Sequence, residues 1–407
     1  KNEYGHFIGG EWVSGDSGKT IDLINPATGA VLTKIQAGNA KDIQRAVAAA
    51  KAAFPKWSES SPAERQEILI EVAAAGLCHS DLSTIENQRP RPLPIVIGHE
   101  GAGIVRECGP GVTDLKPGDH VITVFASSCG TCRYCARGRP NICPSGNAAR
   151  AAGSLVSGAK RIRRLDGSYV NHNSGLSLFA QFAVVARRSA VKIDKDIPLD
   201  DAAIFGCAVM TGAGAVINTA RLQPGESVAV VGLGGVGMNA LFAAVASGAD
   251  RIIAVDTNPK KLEQAKEWGA TDVFLAGNDD CAAAVRDATD GGLDTVIETA
   301  GTIPAMQLAI AITARGGSTI SAGLPNVNAS VSYLHASLVS EEKSIRGSYM
   351  GSCVAERDIP RLLSLYRRGK MPVNKLKSGV VKLEEINEGF DRLSDGTVLR
   401  QMLKPNG

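Results

Sequence analysis

The chain has 407 residues, is 44% hydrophobic and 4% aromatic, and contains 45 glycines. Such a size and composition suit an α/β protein of two or three domains, rich in tight turns. The formal charge is +3, and no run of like charge reaches the length of a binding tail, so neither nucleic acid nor an acidic membrane surface is expected as partner. The opening residues KNEYGHFIGGEWVSGD lack the apolar stretch of a secretory signal. Nine cysteines, an odd number with four of them crowded into residues 129–143, argue for metal ligation rather than disulfides and for the cytoplasm.

In chain order, the runs Phe7–Val13 and Thr20–Ile24 read as strands. The polar stretch Ser14–Gly18 between them reads as a hairpin turn. Asn25-Pro26 and Thr28-Gly29 mark a second turn. A helix is expected next, capped by Asn39, with Ile43, Val47, Ala50 and Phe54 at helical spacing and an end at Pro55. Ser61-Pro62 with Glu64 three residues after the serine has the pattern of a capping box, so a second helix is expected there. The sequences FIGGEWV, INPATGAVL, AVAAAKAAFPKW and SPAERQEIL resemble the N-terminus of an aldehyde dehydrogenase over residues 1–67. Nothing downstream resembles the surroundings of that family's catalytic cysteine and glutamate. The piece is therefore expected to supply packing or assembly rather than chemistry.

Cys129, Cys132, Cys135 and Cys143 follow the pattern C-x2-C-x2-C-x7-C. Four thiolates from one short segment suit a closed tetrahedral zinc site that stabilises its own loop. An iron–sulfur cluster and a disulfide pair are the competing readings. The x7 gap and the lack of a second set weigh against the first, and the compartment against the second.

Ser227–Val231 is a continuous apolar run followed at once by Gly232-Leu233-Gly234-Gly235-Val236-Gly237 and then by a helical run. Strand, G-x-G-x-x-G and helix form the context of a dinucleotide-binding turn, in which glycines let the backbone reach a pyrophosphate. A second strand, Arg251–Val255, ends in Asp256. A carboxylate there accepts from the ribose hydroxyls of NAD and repels a 2′-phosphate. The uncharged stretch Val228–Ala246 has the length of a membrane span. Its glycine spacing and its want of aromatic anchors favour the nucleotide-binding reading.

The remaining motifs are GLCHSD with Cys78, GHEGAG with His99 and Glu100, and GCAVMTG with Cys207. No spacing rule links them. From about Ile68 to its end the chain resembles a medium-chain zinc alcohol dehydrogenase, and these motifs occur in that family's order. The resemblance implies a fold: a GroES-like β-barrel catalytic domain (68–208 and 346–407), a doubly wound Rossmann NAD-binding domain (209–345), and an extra N-terminal β-hairpin/helix segment (1–67). It implies two Zn2+ per chain: a catalytic zinc on Cys78, His99 and Cys207, and a structural zinc on the four clustered cysteines. Ser80 would relay the alcohol proton, Asp81 would orient His99, and Glu100 would approach the metal. Many relatives have a relay histidine five residues after Cys78, where this chain has Ser83. Lys261, Arg400 and His79 would contact the cofactor's ribose and pyrophosphate, Thr211 would pack behind the nicotinamide, and Val236 belongs to the glycine loop that binds the cofactor. The family's opening barrel strands are absent ahead of Ile68.

The implied activity is reversible hydride transfer from a primary or aromatic alcohol to NAD, giving the aldehyde, by a dimer or tetramer. A glutathione-linked formaldehyde dehydrogenase is an alternative, raised by the long segment between Cys143 and Phe179. A fusion that binds NAD and zinc without turnover is another, since missing strands can leave a sheet edge exposed. Cys108, Cys281, Cys353, His6, His120, His172 and His335 show no ligand pattern.

Overall fold

A computed structural model describes residues 3–277, 280–396 and 398–407. Two compact units emerge, Lys1–Pro62 and Ala63–Gly407.

In the first unit the expected strand 7–13 is split. Gly9 and Gly10 both take positive φ, 66° and 90°, and turn the chain between His6–Ile8 and Glu11–Val13, which pair antiparallel with Ile8 opposite Glu11. Two adjacent left-handed residues form the tight hairpin turn whose twist suits two strands. Thr20–Ile24 pairs instead with Val31–Gln36 across the Asn25–Gly29 turn. Asn39 caps the helix Ala40–Glu59, its side chain accepting from the Lys41 and Asp42 backbone while Asp42 accepts from Asn39 N. The helix runs through Pro55 rather than stopping there. Proline removes only the donor to Lys51, and Lys51 is exposed, so water can satisfy its carbonyl.

The second helix expected at Ser61-Pro62 is a single turn, Glu64–Gln66, followed by the strand Glu67–Gly76. Local capping loses here to sheet pairing. Ile68, Ile70 and Val72 alternate into the core, and the strand pairs with both Gly101–Cys108 and Phe182–Ala186. β-branched residues at a two-residue period fit that half-buried surface.

The larger unit holds two main sheets. The seven-stranded one runs Ala190–Ile193, His120–Thr123, Gly101–Cys108, Glu67–Gly76, Arg400–Leu403, Lys377–Val381, with Phe182–Ala186 also on Glu67–Gly76. The other is six-stranded and parallel throughout: Asp272–Leu275, Arg251–Asp256, Ser227–Val231, Leu293–Glu298, Thr313–Ser321, Ser344–Gly347. In chain order this is 3-2-1-4-5-6, the doubly wound arrangement, whose ligands bind where the order reverses beyond the strand ends.

The uncharged stretch around Val228–Ala246 divides into the strand Ser227–Val231 and the helix Gly235–Ser247, and Gly237–Ala244 are all buried within the fold. Among the described residues no single helix is long and apolar enough to cross a membrane. One core joins the two sheets through the helix Ala208–Gly214, every residue of which is buried. That helix touches the glycine-loop helix so closely that a Cβ on Gly212 would collide with the Val236 carbonyl.

Candidate metal and dinucleotide site

Cys78 precedes the helix His79–Ile85 as its N-terminal flanking residue. His99 and Glu100 lie just ahead of the strand Gly101–Cys108, and Cys207 sits between the turn Ala203–Gly206 and the helix Ala208–Gly214. Remote in sequence, they converge: one ligand atom from each of Cys78, His99, Glu100 and Cys207 lies within 4.8 Å of the others, and all four residues are buried. Cys207 Sγ is 3.5 Å from His99 Nε2. On the opposite side of the ring, His99 Nδ1 is 2.9 Å from Asp81 Oδ2. Asp81 is held in turn by Gly98 N at 3.1 Å and Asn173 Nδ2 at 3.0 Å. This chain of contacts fixes the tautomer and leaves Nε2 facing the cysteines. The Phe125 ring stands edge-on to His99, centroids 5.2 Å apart.

The electrostatics of the pocket suit a cation. A hydrogen bond from Cys207, aided by His99, holds the Cys78 thiol well below its usual range, and the same pairing pushes Cys207 well above it. Burial disfavours charge on His99, but Asp81 outweighs it and lifts the ring's pKa well above 6.5. Burial pushes the Glu100 carboxyl up to about 8 against the pull of Arg400. Both Glu100 oxygens are buried without a hydrogen-bond partner among the described residues. Two sulfurs and an imidazole are the donor set of a zinc site with one position left for substrate, and Glu100, ion-paired with Arg400, stands beside it.

Cys129, Cys132, Cys135 and Cys143 form a second group of converging ligand atoms. Sulfur–sulfur distances are 3.6 Å for Cys132–Cys135, 3.8 Å for Cys132–Cys143 and 3.6 Å for Cys129–Cys143. A tetrahedral ion with bonds of about 2.3 Å places its sulfurs about 3.8 Å apart. The spacing leaves room for one ion rather than a multi-iron cluster, and all four cysteines are free of disulfides. Burial works against ionisation of Cys129, yet the Thr131 and Cys132 N–H groups hold it down at about 5. Burial pushes Cys135 up to about 12.

The glycine loop follows the strand Ser227–Val231 at the point where the strand order reverses. Gly232 needs its φ of 92°. A Cβ on Gly237 would strike the Gly232 carbonyl, and one on Gly235 would strike Arg400 Nη2. Gly234 alone of these faces open space, with nothing within 4 Å of a built Cβ, which is the gap a pyrophosphate needs beside the N-terminus of Gly235–Ser247. Asp256 ends its strand with Oδ2 accepting from Leu233 N at 2.6 Å and Oδ1 from Asn258 N at 2.9 Å.

Arg400 is buried rather than at the surface. It donates to the Leu77 carbonyl at 3.0 Å and lies 3.3 Å from Glu100 Oε2, tying the zinc-ligand cluster to the glycine loop. Burial lowers the His79 pKa, and the positive charges of Arg400 and Lys261 lower it further against the pull of Cys78. Thr211 lies one turn after Cys207, on the helix that meets Val236. Ser80 shares a cavity with His99, and Ser83 does not line it.

The sequence reading misses Asn173, which holds Asp81, and Thr299, whose hydroxyl donates to the Gly232 carbonyl at 2.6 Å. Neither carries a spacing signal, because each reaches its partner across the fold. Cys281 and Cys353 are buried core thiols and Cys108 is half-buried. His6, His120, His172 and His335 join neither ligand cluster.

Residues 64–195 match the alcohol dehydrogenase GroES-like domain, 235–368 the zinc-binding dehydrogenase family, and 12–85 the aldehyde dehydrogenase family. The chain is 39% identical to an NDMA-dependent alcohol dehydrogenase of Amycolatopsis methanolica, over 83% of this chain and 91% of that one. It is 35% identical to an S-(hydroxymethyl)glutathione dehydrogenase of Synechocystis, covering 84% and 94%. The crystal structure of benzyl alcohol dehydrogenase from Acinetobacter calcoaceticus superposes with a TM-score of 0.77 at 35% identity, covering 83% of this chain and 92% of that one.

Proposed function

Because the chain belongs to the zinc-dependent alcohol dehydrogenase family, we propose that it oxidises a primary or aromatic alcohol reversibly to the aldehyde with NAD. The observation that carries this is the convergence of Cys78, His99, Glu100 and Cys207 one helix away from an open glycine loop. Cys78, His99 and Cys207 would hold the catalytic zinc, with Glu100 approaching it, and the four clustered cysteines the structural one. Gly232, Gly234, Gly235, Val236, Gly237, Asp256, Lys261, His79, Arg400 and Thr211 would hold NAD. When bound, the zinc supplies a Lewis acid for the alcohol oxygen and NAD the hydride acceptor.

The protein's own groups do the rest. Ser80 Oγ receives the hydroxyl proton and passes it outward. Ser83 replaces the relay histidine of relatives, so water completes the path. Asp81 holds His99 Nδ1 and keeps Nε2 aimed at the cysteines, and Phe125 keeps water off the ring. The catalytic part comprises residues 68–208 and 346–407, the NAD-binding part 209–345, and the segment 1–67 adds no chemistry. A dimer or tetramer in the cytoplasm is the proposed setting.

The test is zinc per chain together with NADH production from ethanol, hexanol and benzyl alcohol. Two zincs with turnover is the expected result. NAD binding without turnover of any alcohol would instead make the chain a fusion that only binds its cofactors. Formaldehyde oxidation that requires glutathione would assign it to the glutathione-linked branch, a reading favoured by the Synechocystis relative.

Asp256 carries the cofactor preference in this proposal. Asp256→Ser removes the carboxylate that would repel a 2′-phosphate, and the ratio of kcat/KM for NAD over NADP should fall about 100-fold, since like charges in contact cost several kcal/mol. An unchanged ratio would remove Asp256 from that role.

A further inference from the structure

Ser80 and His99 open into a cavity of about 50 Å³, which Phe125, Arg89, Arg91 and Arg150 also line. A volume of that size holds a few water molecules, so the part of the substrate it takes is short. No aspartate or glutamate lines it among the described residues.

The three arginines reach it by separate routes. Arg89 and Arg91 follow the helix His79–Ile85 in the run Arg-Pro-Arg-Pro. A residue before proline is pushed to extended backbone, and in extended chain positions two apart project to the same side. Arg150 comes from the helix Pro144–Ala152, beyond the cysteine lobe.

Their partners are neutral. Arg89 donates to the Pro325 carbonyl at 3.2 Å. Arg150 donates to Asn147 Oδ1 at 2.9 Å, meets the Tyr349 hydroxyl, and lies over that ring at 5.5 Å. Burial, and after it the charge of Arg150, holds the Arg91 guanidinium below its usual pKa. Burial acts first on Arg89 as well, and Arg150 adds to it. Three half-buried positive charges around one cavity repel each other when nothing answers them, and an anion relieves that repulsion. The planar guanidinium fork matches a carboxylate or a phosphate.

We infer that the alcohol oxidised at this site carries an anionic group, a carboxylate or a phosphate, at the end away from its hydroxyl, bound by Arg89, Arg91 and Arg150. This rests on the dehydrogenase reading above. The redox step is unaltered: the carbinol C–H leaves as hydride to NAD+, the O–H proton leaves through Ser80, and the C–O bond becomes C=O.

The test compares kcat/KM, with NAD and the full chain, within matched pairs. 4-Hydroxybutanoate is set against 1-butanol, 4-(hydroxymethyl)benzoate against benzyl alcohol, and 3-hydroxypropyl phosphate against 1-propanol. The anion should be preferred at least tenfold in one or more pairs, and the pair identifies carboxylate or phosphate. The preference should narrow as salt is raised, through screening. Arg91→Gln should lower the anion-to-neutral ratio at least tenfold, and Arg91→Lys should restore part of it. Arg89→Gln provides an independent second variant. Neutral alcohols preferred or equal in every pair, or a ratio that neither glutamine variant moves, would overturn the inference and leave the dehydrogenase standing. A chain with two zincs and bound NADH that turns over neither kind of alcohol would overturn the dehydrogenase reading, and this inference with it.

Discussion

Cys78→Ala is expected to reduce alcohol turnover at least ~1000-fold and to lower the zinc content from two per chain to one. Cys78 is buried and joins His99, Glu100 and Cys207 in one ligand cluster. Losing a thiolate leaves one cysteine and one histidine as the firm ligands, too few for a zinc that must also keep a position open. Lewis-acid stabilisation of the developing charge is worth several kcal/mol, and each 1.36 kcal/mol is tenfold in rate. The fold should survive, because Leu77 and Asp81 on either side stay packed and fully buried. NAD affinity should change little, since the glycine loop rests on Thr299 and Asp256 instead. Zinc analysis, NADH fluorescence titration and steady-state rates check this together. Turnover within tenfold of the parent would sink the proposed zinc role.

The site was legible in the sequence to the extent that its geometry is local. The four cysteines of 129–143 and the glycines of 232–237 act within one turn or loop, so spacing alone announces them. Asp256 was legible because a strand of fixed length delivers it to the glycine loop, and it bonds Leu233 N there. Cys78, His99 and Cys207 meet only through sheet pairing and a buried helix, so no spacing rule unites them and only the likeness to a family did. Arg400 needed the same help, and its burial against Glu100 was not foreseen. Arg89, Arg91 and Arg150 left no trace as a group, because two come from an extended loop and the third from a separate helix.

Errors in the fold have the same cause. The Ser61-Pro62 capping pattern is genuine as local chemistry, but Ile68, Ile70 and Val72 gain more from pairing with strands 31 and more residues away than a helix could return. Gly9-Gly10 was read as part of a strand because the apolar residues around it alternate. The turn preference of two adjacent glycines was the stronger signal.

Cys135→Ser tests the second cluster, and its largest effect should fall on stability. The lobe has little else to hold it. The helix Arg133–Ala136 has four residues and none is buried, far below the length at which a helix persists alone. Removing a metal site of this kind belongs among the changes that exceed about 4 kcal/mol. For a unit this large, a fall in Tm of roughly 5 °C or more is expected. Activity should fall as well, through contacts rather than chemistry. Asn141 of the lobe donates to the Tyr349 carbonyl at 2.9 Å. Tyr349 stands edge-on to Phe125 at 6.1 Å, and Phe125 stands edge-on to His99. A loosened lobe therefore frees the wall that keeps water from the imidazole. One zinc per chain, a lowered Tm, faster proteolysis within 129–153 and reduced kcat/KM with NAD affinity retained would together support a structural ion. A variant that keeps two zincs, or melts within about 1 °C of the parent, would show that the four cysteines hold the lobe without a metal, since that shift is under ~1 kcal/mol.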